Sequence, residues 1–107
     1  MVQRVHRSVD TATVGWLCWA GLEFDAERVS LWLRELIAIP GVRRVKAVLR
    51  GSNGWCSFNF ADGAKTTKPS GYRRDSRIEL VVDGAALLDT AALDASLRAC
   101  VRASPSR

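Results

Sequence analysis

Histidine is almost missing from this chain: its 107 residues hold one, His6, in an N-terminal stretch that shows no apolar period. A Ser-His-Asp triad or a Cys-His pair would need that single residue as its base, so histidine-centred catalysis has little to work with. Cysteine is scarce as well. Cys18, Cys56 and Cys100 lie far apart without a C-x-x-C spacing, and the odd count argues against a disulfide framework. Two stand in alternating apolar stretches and the third on an apolar helical stripe, so all three read as core thiols and not as converging zinc ligands. No apolar run approaches the roughly 18 residues of a membrane span, and no hydrophobic leader core is visible, which makes a cytoplasmic location the expectation. No G-x-x-x-x-G-K-[ST] loop is found, since Gly51 and Gly54 are not followed by Lys and Ser or Thr at the head of a helix. Nucleotide hydrolysis is not expected from these residues.

What remains is an ordinary globular composition, 48% hydrophobic and 25% charged, of a length that makes one core and no second. The 16 Lys and Arg against 11 Asp and Glu give a net charge of +5 and a pI near 9.7. Such a balance suits nucleic acid, an acidic protein surface, or a domain whose neighbours are acidic.

The clearest local signal runs from Phe24 to Lys46. Val29, Trp32, Leu33, Leu36 and Ile37 fall at i, i+3, i+4, i+7 and i+8, the stripe of an amphipathic helix, while Arg28, Arg34 and Glu35 stay on its wet side. Asp25 is placed to cap it, with Phe24 and Val29 at staple spacing. Pro40-Gly41 ends it. A strand follows in which Val45, Ala47 and Leu49 alternate with Arg44, Lys46, Val48 and Arg50. Before the helix, Thr11 to Leu22 reads as a strand with Val14, Trp16, Cys18 and Ala20 on one face and Gly15, Leu17 and Trp19 on the other. After it, Gly51-Ser52-Asn53-Gly54 is a hairpin connection in which Asn-Gly supplies positive φ. Trp55 to Ala61 is the returning strand, Asp62-Gly63 a second turn, and Lys65 to Lys68 a short polar edge strand protected by its lysines and Pro69. Ser70 to Ser76 reads as a basic loop, and Ile78, Leu80 and Val82 mark a last strong strand. A closing helix repeats the first one's entry device, with Leu88, Asp89 and Leu93 for Phe24, Asp25 and Val29 and a stripe of Leu93, Leu97, Cys100 and Val101.

The expected fold is α+β, a mostly antiparallel sheet of 4-5 strands with two helices packed on one face, in the order β-α-β-β-(β)-β-α. Residues 1-12 read as a linker or lead-in, 13-103 as the domain, and 104-107 as a loose tail. The carboxylates are accounted for by caps at Asp25 and Asp89 and by turns at Asp62, Asp75 and Asp83, which leaves no catalytic set. Trp16 and Trp19 point to opposite sides of their strand, so one of them lies on the face without helices, a candidate contact surface. A basic set, Arg43, Arg44, Lys46, Arg50, Lys65, Lys68, Arg73, Arg74 and Arg77, can be brought onto one side of the sheet, with the aromatics Trp55 and Phe58 nearby. Two readings stand open for it: a solvated or domain-docking face, and a small basic platform for single-stranded nucleic acid.

Four pieces in order resemble the C-terminal domain of the CobW-type GTP-binding metallochaperones, the cobalamin synthesis protein CobW family. Phe24-Asp25-Ala26-Glu27-Arg28-Val29 with Trp32-Leu33 is similar to the family's F-D-P-E-R-L…W-L, and Pro40-Gly41-Val42-Arg43-Arg44-Val45-Lys46-Ala47 to P-G-V-L-R-A-K-G. Arg77-Ile78-Glu79-Leu80-Val81-Val82 with Gly84 resembles R-x-E-L-V-F-I-G, and Leu93 to Cys100 resembles L-x-A-A-L-D-A-C. Tyr72 stands where the family usually has Trp, and Asp83 interrupts the Ile-Gly. The family's GTPase domain, with its phosphate loop and Cys-x-Cys-Cys metal motif, is not in these residues. The resemblance therefore implies a noncatalytic accessory domain with no cofactor, metal or catalytic residue of its own. It acts by contact in cobalamin synthesis or in zinc or cobalt homeostasis. The implied partners are a CobW-type GTPase domain in the same or a separate chain and a metal-receiving client protein; the bare sheet face adds a second copy of the chain as a candidate, and nucleic acid and membrane are not implied. The residues expected to form its interaction surface are Arg43, Arg44, Lys46, Arg50, Trp55, Arg73 and Arg74.

Overall fold

In a computed structural model, which describes residues 1–71, 74–84 and 86–102, the chain runs β1 (Val2–Arg7), β2 (Thr11–Trp19), α1 (Ala26–Ile37), β3 (Val42–Gly51), β4 (Gly54–Ala61), β5 (Ala64–Ser70), β6 (Asp75–Asp83) and α2 (Thr90–Arg98). Both aspartate caps form: the Asp25 carboxylate accepts from the Arg28 N–H at 3.0 Å and the Asp89 carboxylate from the Ala92 N–H at 3.0 Å, each satisfying one of the first-turn donors a helix leaves open. The Pro40-Gly41 stop is also present, with Gly41 at φ 90. At the first hairpin the positive φ falls on Gly54, not on Asn53; Asp62 and Gly63 supply it at the second.

Among the described residues the sheet has six strands, more than the four or five expected, in the order β1-β2-β6-β3-β4-β5, and every neighbouring pair is antiparallel. The additional strand is β1, within residues expected to be a lead-in. It pairs along its length with β2, from Val2 opposite Leu17 to Arg7 opposite Ala12. It is held to α2 by the Gln3 amide, which donates to the Thr90 carbonyl at 2.8 Å, and by the Arg98 guanidinium, which donates to the Met1 carbonyl at 3.2 Å. The tail expected over 104-107 lies outside the described residues.

Because β6 lies between β2 and β3, the β2-α1-β3 crossover straddles a strand, the split βαβ arrangement, and α1 packs over the middle of the sheet. One face carries the core. Ala12, Val14, Trp16 and Cys18 of β2, Ile78, Leu80 and Val82 of β6, and Val45, Ala47 and Leu49 of β3 are buried together with Val29, Trp32, Leu33 and Leu36 of α1 and Leu97 of α2. α2 ends earlier than its apolar stripe suggests. Cys100 and Val101 lie beyond its Ala99 C-cap, and Val101 instead bridges Phe24. Cys56, expected in the core, is exposed. It does point to the helix face, opposite Leu49, but it lines an open gap between α1 and β4.

The end of β6 shows a close backbone approach. The Gly84 N–H donates to the Asp10 carbonyl at 2.8 Å, and a Cβ built on Gly84 would stand 2.7 Å from the Val9 carbonyl oxygen and 3.1 Å from the Asp10 carbonyl carbon. Gly84→Ala must therefore push the β1-β2 turn away, and a loss of about 1–3 kcal/mol in urea unfolding is expected. Gly71→Ala, which meets nothing within 4 Å, is the control and should stay within about 0.5 kcal/mol of the parent.

Candidate functional site

Among the described residues no helix lies over the other face of the sheet. Directly opposed residues of neighbouring strands share a face, so the registers define rows across it. One row reads Arg4, Gly15, Glu79, Lys46, Asn59 and Thr66, and the next Val2, Leu17, Arg77, Val48, Ser57 and Lys68. Where these rows cross β2 and β6 there is a shallow depression of about 610 Å³, lined among others by Arg4, Gly15, Leu17, Lys46, Val48, Arg74 and Glu79. Gly15 makes the dip: a Cβ there would meet only the Ile78 carbonyl, at 3.7 Å. Apolar groups lie open around it, with Trp19 59%, Val2 49% and Leu17 44% exposed.

The structure sorts the expected surface residues into three groups. Arg44 and Lys46 lie on the open face, opposite Val81 and Glu79, and Arg74 lines the depression. Among the described residues these three and Arg4 enter no ion pair, so their charge faces solvent. Arg43 and Arg50 are committed elsewhere. A β-bulge between Val42 and Arg44 turns Arg43 to an ion pair with Asp83, and the Arg50 guanidinium donates to the Ala20 carbonyl at 2.6 Å, tying β3 to the segment after β2. Trp55, opposite Arg50 and Ser70, is half-buried at the far end of the same face. Arg73 lies outside the described residues.

Of the remaining basic residues, Lys68 is on the open face, opposite Ser57, whereas Lys65, opposite Phe60, is on the helix face. Arg77 is paired with Asp75 at 2.8 Å, and the hydrogen bond from that guanidinium holds the Asp75 carboxyl below its usual range. Arg4 was not legible as a surface residue because β1 was not legible as a strand. Three carboxylates, Asp75, Glu79 and Asp83, stand among these cations, so the face is mixed in sign.

Among the described residues no three His, Cys, Asp or Glu side chains gather as a metal site would require. Burial pushes the Cys18 thiol up to about 11 and raises that of Cys100 too, which leaves both protonated and unreactive at neutral pH. No helix among the described residues is long and apolar enough to cross a membrane.

Comparison with known proteins places this geometry. Residues 15–101 match the model of the cobalamin synthesis protein cobW C-terminal domain, a span that starts within β2 and leaves β1 outside. No curated protein matches the sequence. The fold is similar to part of the Zn(II)-bound YjiA GTPase from E. coli, with a TM-score of 0.67 and 14% identity over 85% of this chain. It is similar to a Zn(II)-bound triple mutant of the YjiA GTPase at a TM-score of 0.68 and 14% identity over 87%. The match spans 30% of each of those longer chains.

Proposed function

Because the chain belongs to the cobalamin synthesis protein cobW C-terminal domain family, we propose that it is the noncatalytic accessory domain of a GTP-dependent metal chaperone of the CobW type. It works by contact: it packs on a GTPase module, in the same or a separate chain, and helps to present a metal-receiving client in cobalamin synthesis or in zinc or cobalt homeostasis.

The observation that carries this reading is the uncovered sheet face. A sheet buried on one side only, with Trp19, Leu17 and Val2 exposed beside the unpaired cations Arg4, Arg44 and Lys46, has the apolar centre and polar surround of a protein contact surface. Single-stranded nucleic acid is the poorer fit. Glu79 and Asp75 line the depression, so a phosphate backbone laid there would meet carboxylates, and Trp55 is half-buried, which leaves less of its ring for stacking.

The test is association of the 107-residue chain with the isolated G domain of a CobW-type GTPase, measured by calorimetry. Arg4 and Arg44 are exposed and unpaired, so Arg4→Glu with Arg44→Glu should leave the fold intact. The pair should weaken association roughly tenfold and flatten its salt dependence, the expected consequence of reversing rim charges. Unchanged affinity would remove the contact from this face, and no association of the parent chain with any such G domain would defeat the accessory role.

A further inference from the structure

The helix face is incomplete. Six strands at about 4.8 Å make a sheet roughly 29 Å wide, whereas two helices packed side by side at 8–10 Å cover only about four strands of it. The hydrogen bonds from Gln3 and Arg98 place α2 over β1 and β2, and α1 packs on β3, so the least covered part is β5 and β4, whose Phe58 and Phe60 touch the core but are only half-buried. What lies there is an apolar trough of about 550 Å³ between α1 and the β4-β5 hairpin. Its walls include Val29 and Leu33 of α1, Leu49 of β3 and Phe58 of β4; the cations on this side of it are Arg34 and Lys65, Lys68 standing on the edge strand with its side chain toward the open face, and no carboxylate is found among its described lining residues. Arg34 stands on the α1 side and Lys65 on the β5 side.

We propose that this trough is a docking groove for an amphipathic helix of a partner protein, one that carries acidic residues beside its apolar stripe and completes the helix layer as a third member. The width left by two strands, about 10 Å, is that of one helix with its side chains. An apolar floor between two cationic rims complements a helix whose apolar stripe is flanked by Glu or Asp. A second copy of this chain does not supply it. α1 and α2 have already spent their apolar stripes on the core, and the basic balance of the chain works against self-association at a cationic groove. The groove lies on the side opposite the open sheet face, so its occupancy is independent of the accessory role above.

Cys56 lines the groove and is exposed, whereas Cys18 and Cys100 are buried, so an aromatic disulfide reagent reads occupancy through the rate at which it forms a mixed disulfide with Cys56. The probes are a capped 16-residue peptide with Leu at helical i, i+3, i+4, i+7 spacing flanked by Glu, its Lys-flanked counterpart, and a scrambled Glu peptide. With the full 107-residue chain the Glu peptide should bind, slow Cys56 modification and lose affinity with added salt, and the other two should not. In Arg34→Glu with Lys65→Glu the preference should invert, the Glu peptide weakening by roughly tenfold and the Lys peptide gaining. Equal protection by the scrambled peptide, an uninverted preference, or an unprotected Cys56 at saturating Glu peptide would overturn the proposal. So would protection of Cys56 by dodecanoate where no peptide protects it, which would assign the groove to an anionic amphiphile.

Discussion

Phe24→Ala is expected to lower the thermal midpoint of this domain by more than about 12 °C, from a loss of about 3–5 kcal/mol at roughly 4–8 °C per kcal/mol for a chain of this size. Phe24 is 1% exposed and sits where three parts of the chain meet. Its N–H donates to the Arg50 carbonyl at 2.8 Å, the Asp25 N–H to the Cys100 carbonyl at 2.8 Å, and the Arg102 N–H to the Glu23 carbonyl at 2.7 Å, so the backbone around it pairs with Gly51 on one side and Val101 on the other. Those backbone bonds do not depend on the ring. Alanine keeps them and removes the large apolar body that fills the space between the end of β3 and the segment after α2, leaving a cavity that backbone pairing on both sides prevents from collapsing. Phe24→Leu, which restores most of the volume, should recover more than half of the loss. A calorimetric midpoint for the alanine variant within about 5 °C of the parent would mean that Phe24 is not part of the cooperative core.

What the sequence disclosed, and what it concealed, follows from which residues touch the core. The helical period from Val29 to Leu36 is legible because burial imposes it: Val29, Trp32, Leu33 and Leu36 are all buried, and Ile37, the last of the stripe, is half-buried where the helix runs out. The same logic hides β1. Its residues are almost all exposed on both faces, so no alternation is written into them. Its existence depends on pairing with β2 and on two bonds to α2 from residues 87 and 97 positions away. Alternation also put Cys56 on the correct side of β4 without revealing that the helix layer leaves it exposed, because coverage is decided by the width of the sheet and not by any one strand. At the open face the sequence offered seven residues with equal claims. Only the register and the bulge before Arg44 separate the unpaired Arg44, Lys46 and Arg74 from Arg43, which is bound to Asp83, and Arg50, which is bound to Ala20. The division of Trp16 from Trp19 was legible, since a separation of three residues in a strand reverses the side. Trp16 is 2% exposed and Trp19 59%.

That inward tryptophan leads to the other large effect. Trp16 and Trp32 meet edge to face, centroids 5.3 Å apart and planes at 79°, a geometry in which the ring edge of one meets the electron-rich face of the other. Each indole N–H is caught by α2: Trp32 donates to the Ser96 hydroxyl at 2.8 Å and Trp16 to the Asp94 carboxylate at 3.2 Å. The Ser96 hydroxyl in turn donates to the Leu93 carbonyl at 2.9 Å. The pair thus joins α1, β2 and α2, and α2 needs it, for at nine residues it is shorter than the roughly 12–15 that hold an isolated helix. Trp32→Ala should cost about 3–5 kcal/mol. Trp32→Phe, which keeps an aromatic ring but loses the donor, should cost about 0.5–1.5 kcal/mol, because the Ser96 hydroxyl still has the Leu93 carbonyl to bond. The two losses should also differ in place. In the alanine variant the amides of α2 should exchange with solvent well before those of β6, since α2 loses the surface it packs on while the central strands keep their pairing. If Trp32→Ala and Trp32→Phe lower stability equally, the ring packing contributes nothing beyond the hydrogen bond, and the aromatic pair is not what fastens α2 to the sheet.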